Sequence, residues 1–210
     1  MTVTKEQITK WLDALTTTYE EKKDYLTELD AAIGDADHGI NMNRGFQKVK
    51  QQLANIGDKD IESILKTVSM TLISSVGGAS GPLYGTFFLR ASMAVKGKPE
   101  LTAEDMAALL QSGLDGVVQR GKAKLGDKTI VDAIAPAVDA FKQAIAAGST
   151  TVEGLKNAVA AAEEGMINTI PMVAKKGRAS YLGERSAGHQ DPGATSSYLM
   201  LKALLDIVAK

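Results

Sequence analysis

The residues best suited to chemistry lie together in one short stretch, residues 30–39, with the sequence DAAIGDADHG. It holds three carboxylates, Asp30, Asp35 and Asp37, beside one of the two histidines of the chain, His38. Clustered carboxylates repel one another unless a cation or a proton offsets their charge. Asp35 and Asp37 are two apart, which in extended backbone points both side chains to one side, and Asp30 lies about one helical turn before the loop. Oxygen ligands at this density favour a hard cation, Mg²⁺ or Ca²⁺, over zinc.

A solvated turn is the alternative interpretation of this stretch, since Asp and Gly favour turns for backbone reasons alone. The third carboxylate, His38 and the flanking glycines favour the metal site. An EF-hand is excluded, because the position of its bidentate glutamate falls on Phe46. His38 and the other histidine, His189, are candidate ligands, hydrogen-bond donors or phosphoryl acceptors, with a purely structural hydrogen bond as the alternative for each.

The glycine-rich stretch at residues 77–82, GGASGP, is a candidate anion site. Exposed backbone N–H groups at the start of a helix bind phosphate well. The stretch is not a Walker A loop, because no Gly-Lys-Ser/Thr follows, and a plain helix–helix turn is the alternative. Arg178, between Gly177 and Ala179, is the predicted phosphate contact, because a guanidinium matches phosphate oxygens in a fork. The other nearby cations are expected to be mostly solvated: Lys122, Lys124, Lys128, Lys175 and Lys176.

Composition favours a helical protein. Of the 210 residues 44% are hydrophobic and only 5% aromatic, and the apolar residues are mostly Ala, Leu, Ile, Val and Met. The net charge of -1 gives no general attraction to nucleic acid or to a membrane. The chain has no cysteine, its N-terminus lacks the apolar run of a signal peptide, and no apolar stretch approaches membrane-spanning length. We therefore expect a cytoplasmic protein.

Apolar spacing and capping residues predict about eight antiparallel up-down helices in one all-α domain, with little or no strand. Pro136 is expected to kink the sixth helix or to lie near its start, and the seventh is expected to run past Met166 and Ile170. The predicted helix starts are Thr4, His38 or Gly39, Asp58 or Asp60, Ser80 or Gly81, Thr102, the loop at residues 121–129, Thr151 and Asp191.

The order of the connections predicts a composite site. Short connections make sequential helices antiparallel neighbours, so alternate connections lie at the same end of a bundle. The acidic loop, the glycine-rich stretch, the loop at residues 121–129 and the loop at residues 176–191 are alternate connections. They hold both histidines and most of the loop glycines, whereas the turns near Gly57, Gly97 and Gly148 are ordinary polar turns. We therefore expect the unusual loops to meet at one rim.

Several of these motifs, in order along almost the whole chain, resemble the nucleotide-binding (L) domain of dihydroxyacetone kinases. They are GDADHG at residues 34–39, NMNRG at 41–45, GGASGP at 77–82, GDKT at 126–129, GRASYLGERS at 177–186 and HQDPGA at 189–194. The resemblance implies a barrel of eight up-down helices over residues 1–210, with the nucleotide at one rim. It also implies that Asp30, Asp35 and Asp37 hold two Mg²⁺ ions against the phosphates of ADP or ATP. The implied nucleotide contacts are His38, Gly39, Ile40, Asn41, Gly78, Ala79, Ser80, Gly121, Ile130, Arg178, Asp191, Pro192 and Gly193.

Members that use free ATP fuse this domain to a substrate domain, and nothing in the sequence offers a second domain. The resemblance therefore implies the separate ADP-binding subunit of a phosphotransferase-dependent kinase, with retained ADP as coenzyme. Its implied partners are a phosphocarrier subunit and a dihydroxyacetone-binding subunit. Two alternatives stay open: a Mg²⁺-dependent phosphatase using Asp35 and Asp37, and a non-catalytic nucleotide-sensing adaptor, whose candidate partner is a transcriptional regulator. Asp-x-Asp phosphatases usually place their nucleophile after a buried strand, and no such strand is predicted before Asp35.

Overall fold

The computed structural model describes residues 2–56 and 59–210, and its regular structure is almost entirely helical. Over these two ranges there are nine α-helices: α1 Lys5–Glu21, α2 Lys23–Ile33, α3 His38–Ile56, α4 Ile61–Ser75, α5 Ser80–Ala94, α6 Ala103–Gly121, α7 Val131–Ala146, α8 Thr151–Asn168 and α9 Pro192–Val208. Two strands of two residues, β1 Val3–Thr4 and β2 Glu100–Leu101, pair antiparallel. No helix in the part of the chain described is long and apolar enough to cross a membrane.

Eight of the helices form a closed ring. Each of α3 to α9 packs against the next, and α1 closes the ring by packing against both α3 and α9. The short helix α2 packs mainly on α3 and lies at the rim, beside the loop that follows α8. The predicted all-α barrel of about eight helices is therefore confirmed.

Aromatic side chains fill the middle of the ring. The side chain of Trp11 in α1 contacts that of Phe88 in α5, with their aromatic centroids 5.7 Å apart. Helices α1 and α5 are not neighbours around the barrel, so this contact crosses its interior. The Phe46 ring of α3 packs at a tilt against Tyr19, with centroids 4.7 Å apart, and lies 6.5 Å from the Phe88 ring. The Trp11 indole also donates to the carbonyl of Met200 at 3.0 Å, which joins α1 to α9. These buried contacts give the loops of the rim a rigid base.

Local capping explains most helix starts. At the predicted starts Thr4 and Thr102, capping boxes are formed with Gln7 and Asp105, and Asp60 caps α4 by accepting the N–H of Ser63 at 2.7 Å. Asp191 caps α9, with Pro192 at its first position, as predicted. The alternative cap Asp58 and the turn near Gly57 lie outside the described residues.

Some predicted boundaries are wrong. The first helix is divided at Lys22 into α1 and α2. Thr150, not Thr151, caps α8, because its capping-box partner Glu153 lies three residues later. Helix α8 ends at Asn168, before Ile170. Two other features are not boundary errors. Pro136 lies in the second turn of α7, and the loop at residues 176–191 contains a 3₁₀ segment, Arg178–Ser186.

Candidate functional site

The four unusual loops meet at one cavity of about 450 Å³, as the order of the connections predicts. Its wall is formed by residues of the α2–α3 loop, the start of α5, the end of α6 with the following loop, the start of the 3₁₀ segment and the start of α9. The cavity falls in the size range of small-molecule sites, ~300–1,000 Å³.

Three carboxylates converge at this cavity. Asp30, Asp35 and Asp37 each offer an oxygen, and these atoms all lie within 4.8 Å of one another. Asp30 is buried at the end of α2, and its Oδ2 accepts the N–H groups of Asp37 at 2.8 Å and His38 at 3.1 Å. The expected extended backbone between Asp35 and Asp37 is not found: Ala36 has a φ of 60°, so a left-handed turn produces the convergence.

Glycine is required directly after α2. A Cβ on Gly34 would lie 2.0 Å from Oδ1 of Asp30, so any side chain there would displace the buried carboxylate. An all-oxygen set with one fixed and two more accessible carboxylates suits Mg²⁺, which keeps part of its coordination shell for water or phosphate. The residues present therefore fit a hard divalent cation.

Arg178 lies in the cavity wall beside the acidic cluster. Its Nη2 is 2.9 Å from Oδ2 of Asp35, with the two side chains 66% and 34% exposed. Gly177, with a φ of 65°, turns the backbone into the 3₁₀ segment at this point. A guanidinium next to the acidic cluster can contact an anion that a cation there also binds.

His38 is held between two hydroxyl groups. Its Nδ1 lies 3.0 Å from Oγ of Ser80, and its Nε2 lies 2.9 Å from Oγ of Ser196, which also contacts the Tyr84 hydroxyl at 2.6 Å. Burial lowers the pKa of His38 to about 4, so the imidazole is neutral at pH 7, with one nitrogen donating and the other accepting. Because both nitrogens have partners, the geometry favours the hydrogen-bonding role over a metal ligand or phosphoryl acceptor.

Two helix starts lie in the wall of the cavity. Helix α5 begins at Ser80, after Gly78 with a φ of 64°, and both residues line the cavity. Helix α9 begins at Pro192, behind the buried cap Asp191, whose Oδ2 accepts the N–H of Ala194 at 2.7 Å. Burial, with the nearby carboxylate of Asp132, raises the pKa of Asp191 to about 7.

Most of the residues expected at the site line this cavity. Three do not. Gly39 packs on α2, where a Cβ would lie 2.0 Å from the carbonyl oxygen of Lys23. Ile40 is 48% exposed, and the side chain of Asn41 accepts a hydrogen bond from Arg44 at 2.6 Å. The expected residues in the wall are Asp30, Asp35, Asp37, His38, Gly78, Ala79, Ser80, Gly121, Ile130, Arg178, Asp191, Pro192 and Gly193.

Lys128 is the residue whose role sequence reasoning missed. It was expected among the solvated cations, but it is 1% exposed, lines the cavity and donates to backbone carbonyls of residues 172–189. Nothing in charge or spacing separates it from the exposed Lys122 and Lys124 of the same loop. His189, the other candidate histidine, is exposed and lies outside the cavity wall.

The barrel, the acidic cluster and the rim cavity are the features by which the chain can be compared with known proteins. A family model described as the DAK2 domain matches residues 32–206, and the chain belongs to this family.

Among its relatives is the ADP-binding subunit DhaL of the PEP-dependent dihydroxyacetone kinase of Escherichia coli (strain K12). The two are 50% identical over 204 residues, which is 97% of each chain. The ADP-binding subunit DhaL of the PTS-dependent dihydroxyacetone kinase of Lactococcus lactis is 42% identical over 95% of this chain and 96% of that one.

The fold also matches a solved structure, the dihydroxyacetone kinase from C. freundii in complex with AMP-PNP and Mg²⁺. The TM-score is 0.72 at 25% identity, over 95% of this chain. The match covers 33% of that kinase, so the chain spans about a third of its length.

Proposed function

We propose that this chain is the ADP-binding subunit of a phosphoenolpyruvate-dependent dihydroxyacetone kinase, and that residues 1–210 form one domain of that kind. The observation that carries the proposal is the convergence of Asp30, Asp35 and Asp37 within 4.8 Å at the wall of a 450 Å³ cavity. Relatives named as such subunits match this chain over nearly the whole length of both chains, which supports the same assignment.

The cavity offers separate surfaces for the parts of a nucleotide. Leu83, Val117 and Ile130 form an apolar part of the wall that suits the adenine ring. The start of α5 at Ala79 and Ser80 would bind phosphate oxygens through backbone N–H groups, and Arg178 would add a charged fork. The three aspartates would hold two Mg²⁺ ions. Bound Mg²⁺ neutralises phosphate charge and fixes the phosphates for in-line transfer.

The reaction needs little covalent work from this chain. A phosphocarrier subunit donates a phosphoryl group to the terminal phosphate of bound ADP, which gives ATP in place. The γ-phosphoryl would then pass to a hydroxyl oxygen of dihydroxyacetone on a second subunit: the bond between the γ-phosphorus and the β–γ bridging oxygen breaks, the hydroxyl proton leaves to solvent, and ADP remains for the next cycle. Side chains of this subunit hold the nucleotide and offset charge, which is the main protein contribution in phosphoryl transfer. His38, with both nitrogens hydrogen-bonded, has no need to carry the phosphoryl group.

The test is transfer from a phosphorylated phosphocarrier subunit to dihydroxyacetone in the presence of the dihydroxyacetone-binding subunit. The wild-type chain should support formation of dihydroxyacetone phosphate. Asp35→Asn and Asp37→Asn should abolish it, whereas Asp24→Asn, at a 93% exposed side chain on α2, should not.

The same assay separates the alternatives. Release of inorganic phosphate by this chain without its partner subunits would indicate the phosphatase. The structure does not favour that alternative, because such enzymes usually place the nucleophile directly after a buried strand, and among the described residues only the two-residue β1, Val3–Thr4, precedes Asp35. Nucleotide binding with no transfer to dihydroxyacetone would indicate the non-catalytic adaptor and would refute the proposal.

A further inference from the structure

The Lys128 ammonium group is saturated by main-chain oxygen atoms. Its Nζ donates to the carbonyls of Met172 at 3.1 Å, Ser186 at 2.6 Å and His189 at 2.5 Å. The carbonyl of Ile170 lies at 3.5 Å, at the outer limit of a hydrogen bond. An ammonium group has three hydrogens, so these carbonyls use all of its donors. Lys128 therefore lines the cavity without a free N–H to offer a ligand.

The three acceptors belong to the two legs of one loop, residues 172–189, which we call the strap. The backbone leaves Lys128 at Met172 and returns to it at Ser186 and His189. The Oγ of Ser186 accepts the N–H of Ala174 at 2.8 Å, so the legs are also joined to each other. Lys128 thus joins the two ends of the strap, and we call this junction of Lys128 with Met172, Ser186 and His189 the neck.

Arg178 is carried by the part of the strap beyond this neck. Its own contact with Asp35 is an exposed ion pair, and such pairs contribute little to positioning a segment. Hydrogen bonds from a buried ammonium are shorter and stronger than neutral ones. Two features therefore position Arg178: the hydrogen bonds of Lys128 at the neck, and the packing of Ala179 and Leu182 against Ile33 of α2.

We propose that Lys128 is a positioning residue that holds the strap, and with it Arg178, in place over the acidic cluster. Its ammonium acts on the main chain and not on the bound nucleotide. This inference rests on the proposed function only in taking phosphate as the target of Arg178.

The first test is a double-mutant cycle, with affinities for ADP and for AMP measured calorimetrically at saturating Mg²⁺. Lys128→Met should weaken ADP binding about as much as Arg178→Gln does, roughly tenfold or more, and AMP binding much less. Arg178→Gln should then have little further effect in the Lys128→Met background. Lys124→Met is the matched control, because it removes an exposed lysine from the same loop. Additive losses, or equal losses for ADP and AMP, would overturn the proposal.

The second test needs no ligand. Trypsin sites within the strap, at Lys175, Lys176, Arg178 and Arg185, should be cut about tenfold faster or more in Lys128→Met, because cleavage requires local opening. Lys124→Met should leave the rate unchanged, and an unchanged rate in Lys128→Met would overturn the proposal. If wild-type protein binds no ADP, the proposed function fails while this test of the neck still stands.

A milder variant covers the case in which Lys128→Met does not fold, as judged by circular dichroism. Ser186→Ala removes the Ala174 contact and the bond from Ser186 Oγ to the carbonyl of Gly183 at 2.6 Å. It should shift cleavage and the ADP-to-AMP affinity ratio in the same directions, each by about threefold. Absence of both shifts would overturn the proposal.

Discussion

Arg178→Gln is expected to change the affinities for Mg²⁺ alone and for ADP in opposite directions. The Arg178 guanidinium lies 2.9 Å from an oxygen of Asp35. A cation held by Asp35 competes with the guanidinium for the same carboxylate, so removing the positive charge favours the cation. Glutamine keeps much of the length and polarity of the side chain and removes only its charge.

The magnitudes follow from the exposure of the pair. With side chains 66% and 34% exposed, the pair contributes about 0.2–1 kcal/mol, so Mg²⁺ should bind roughly 1.5- to 5-fold more tightly without nucleotide. Loss of a charged hydrogen bond to phosphate costs about 1.5–3 kcal/mol, so ADP at saturating Mg²⁺ should bind roughly 10- to 150-fold more weakly.

Isothermal titration calorimetry measures both affinities, with Mg²⁺ alone and then with ADP at saturating Mg²⁺. Arg185→Gln is the matched control, since it removes an exposed arginine from the same 3₁₀ segment and should change neither affinity. Weaker Mg²⁺ binding in Arg178→Gln would refute the competition for Asp35. Unchanged ADP binding would show that Arg178 does not contact the phosphates.

Two further substitutions test the surroundings of the site. Burial, with the carboxylates of Asp132 and Asp30, raises the pKa of Asp191 to about 7, although the Ala194 N–H and Lys128 oppose the shift. The protonated carboxyl group therefore stabilises the fold fully below pH ~4, and this stabilisation is lost as the pH rises through 7. Asp191→Asn keeps a capping oxygen but does not titrate, so its melting temperature minus that of wild type should increase from about pH 4 to about pH 8. Asp139→Asn, at an exposed position, is the control. A melting-temperature difference that stays constant with pH would contradict the raised pKa of Asp191. Gly39→Ala should lower the free energy of unfolding by about 1–3 kcal/mol in urea denaturation, because the new Cβ would lie 2.0 Å from the carbonyl oxygen of Lys23. The control Ile40→Ala, at an exposed side chain, should change the free energy of unfolding little. Equal denaturation midpoints for Gly39→Ala and wild type would contradict the close packing of Gly39 on α2.

Features set by neighbouring residues were predicted correctly from sequence. Thr4 with Gln7, Thr102 with Asp105, and Asp191 with Pro192 each mark a helix start within a few residues, and each is observed. The meeting of the acidic loop with the glycine-rich stretch also followed, because it depends on the number and order of the helices and not on their exact ends.

Features that depend on distant parts of the chain were not predictable. Lys128 is buried because carbonyls more than forty residues later converge on it, and nothing near it in sequence records that. His38 owes its neutral state to burial between Ser80 and Ser196, which lie on two other helices. The left-handed turn at Ala36 was also missed, since alanine carries no conformational signal for it.

We propose that Asp30, Asp35 and Asp37 retain a nucleotide through two Mg²⁺ ions. Native mass spectrometry of the purified chain, equilibrated with Mg²⁺ and ADP and then exchanged into volatile buffer, tests it most directly. We expect a species with one ADP and two Mg²⁺ per chain, and loss of both ADP and metal in Asp35→Asn and Asp37→Asn. A chain that carries no ADP, or ADP and Mg²⁺ content unchanged in both variants, would contradict it.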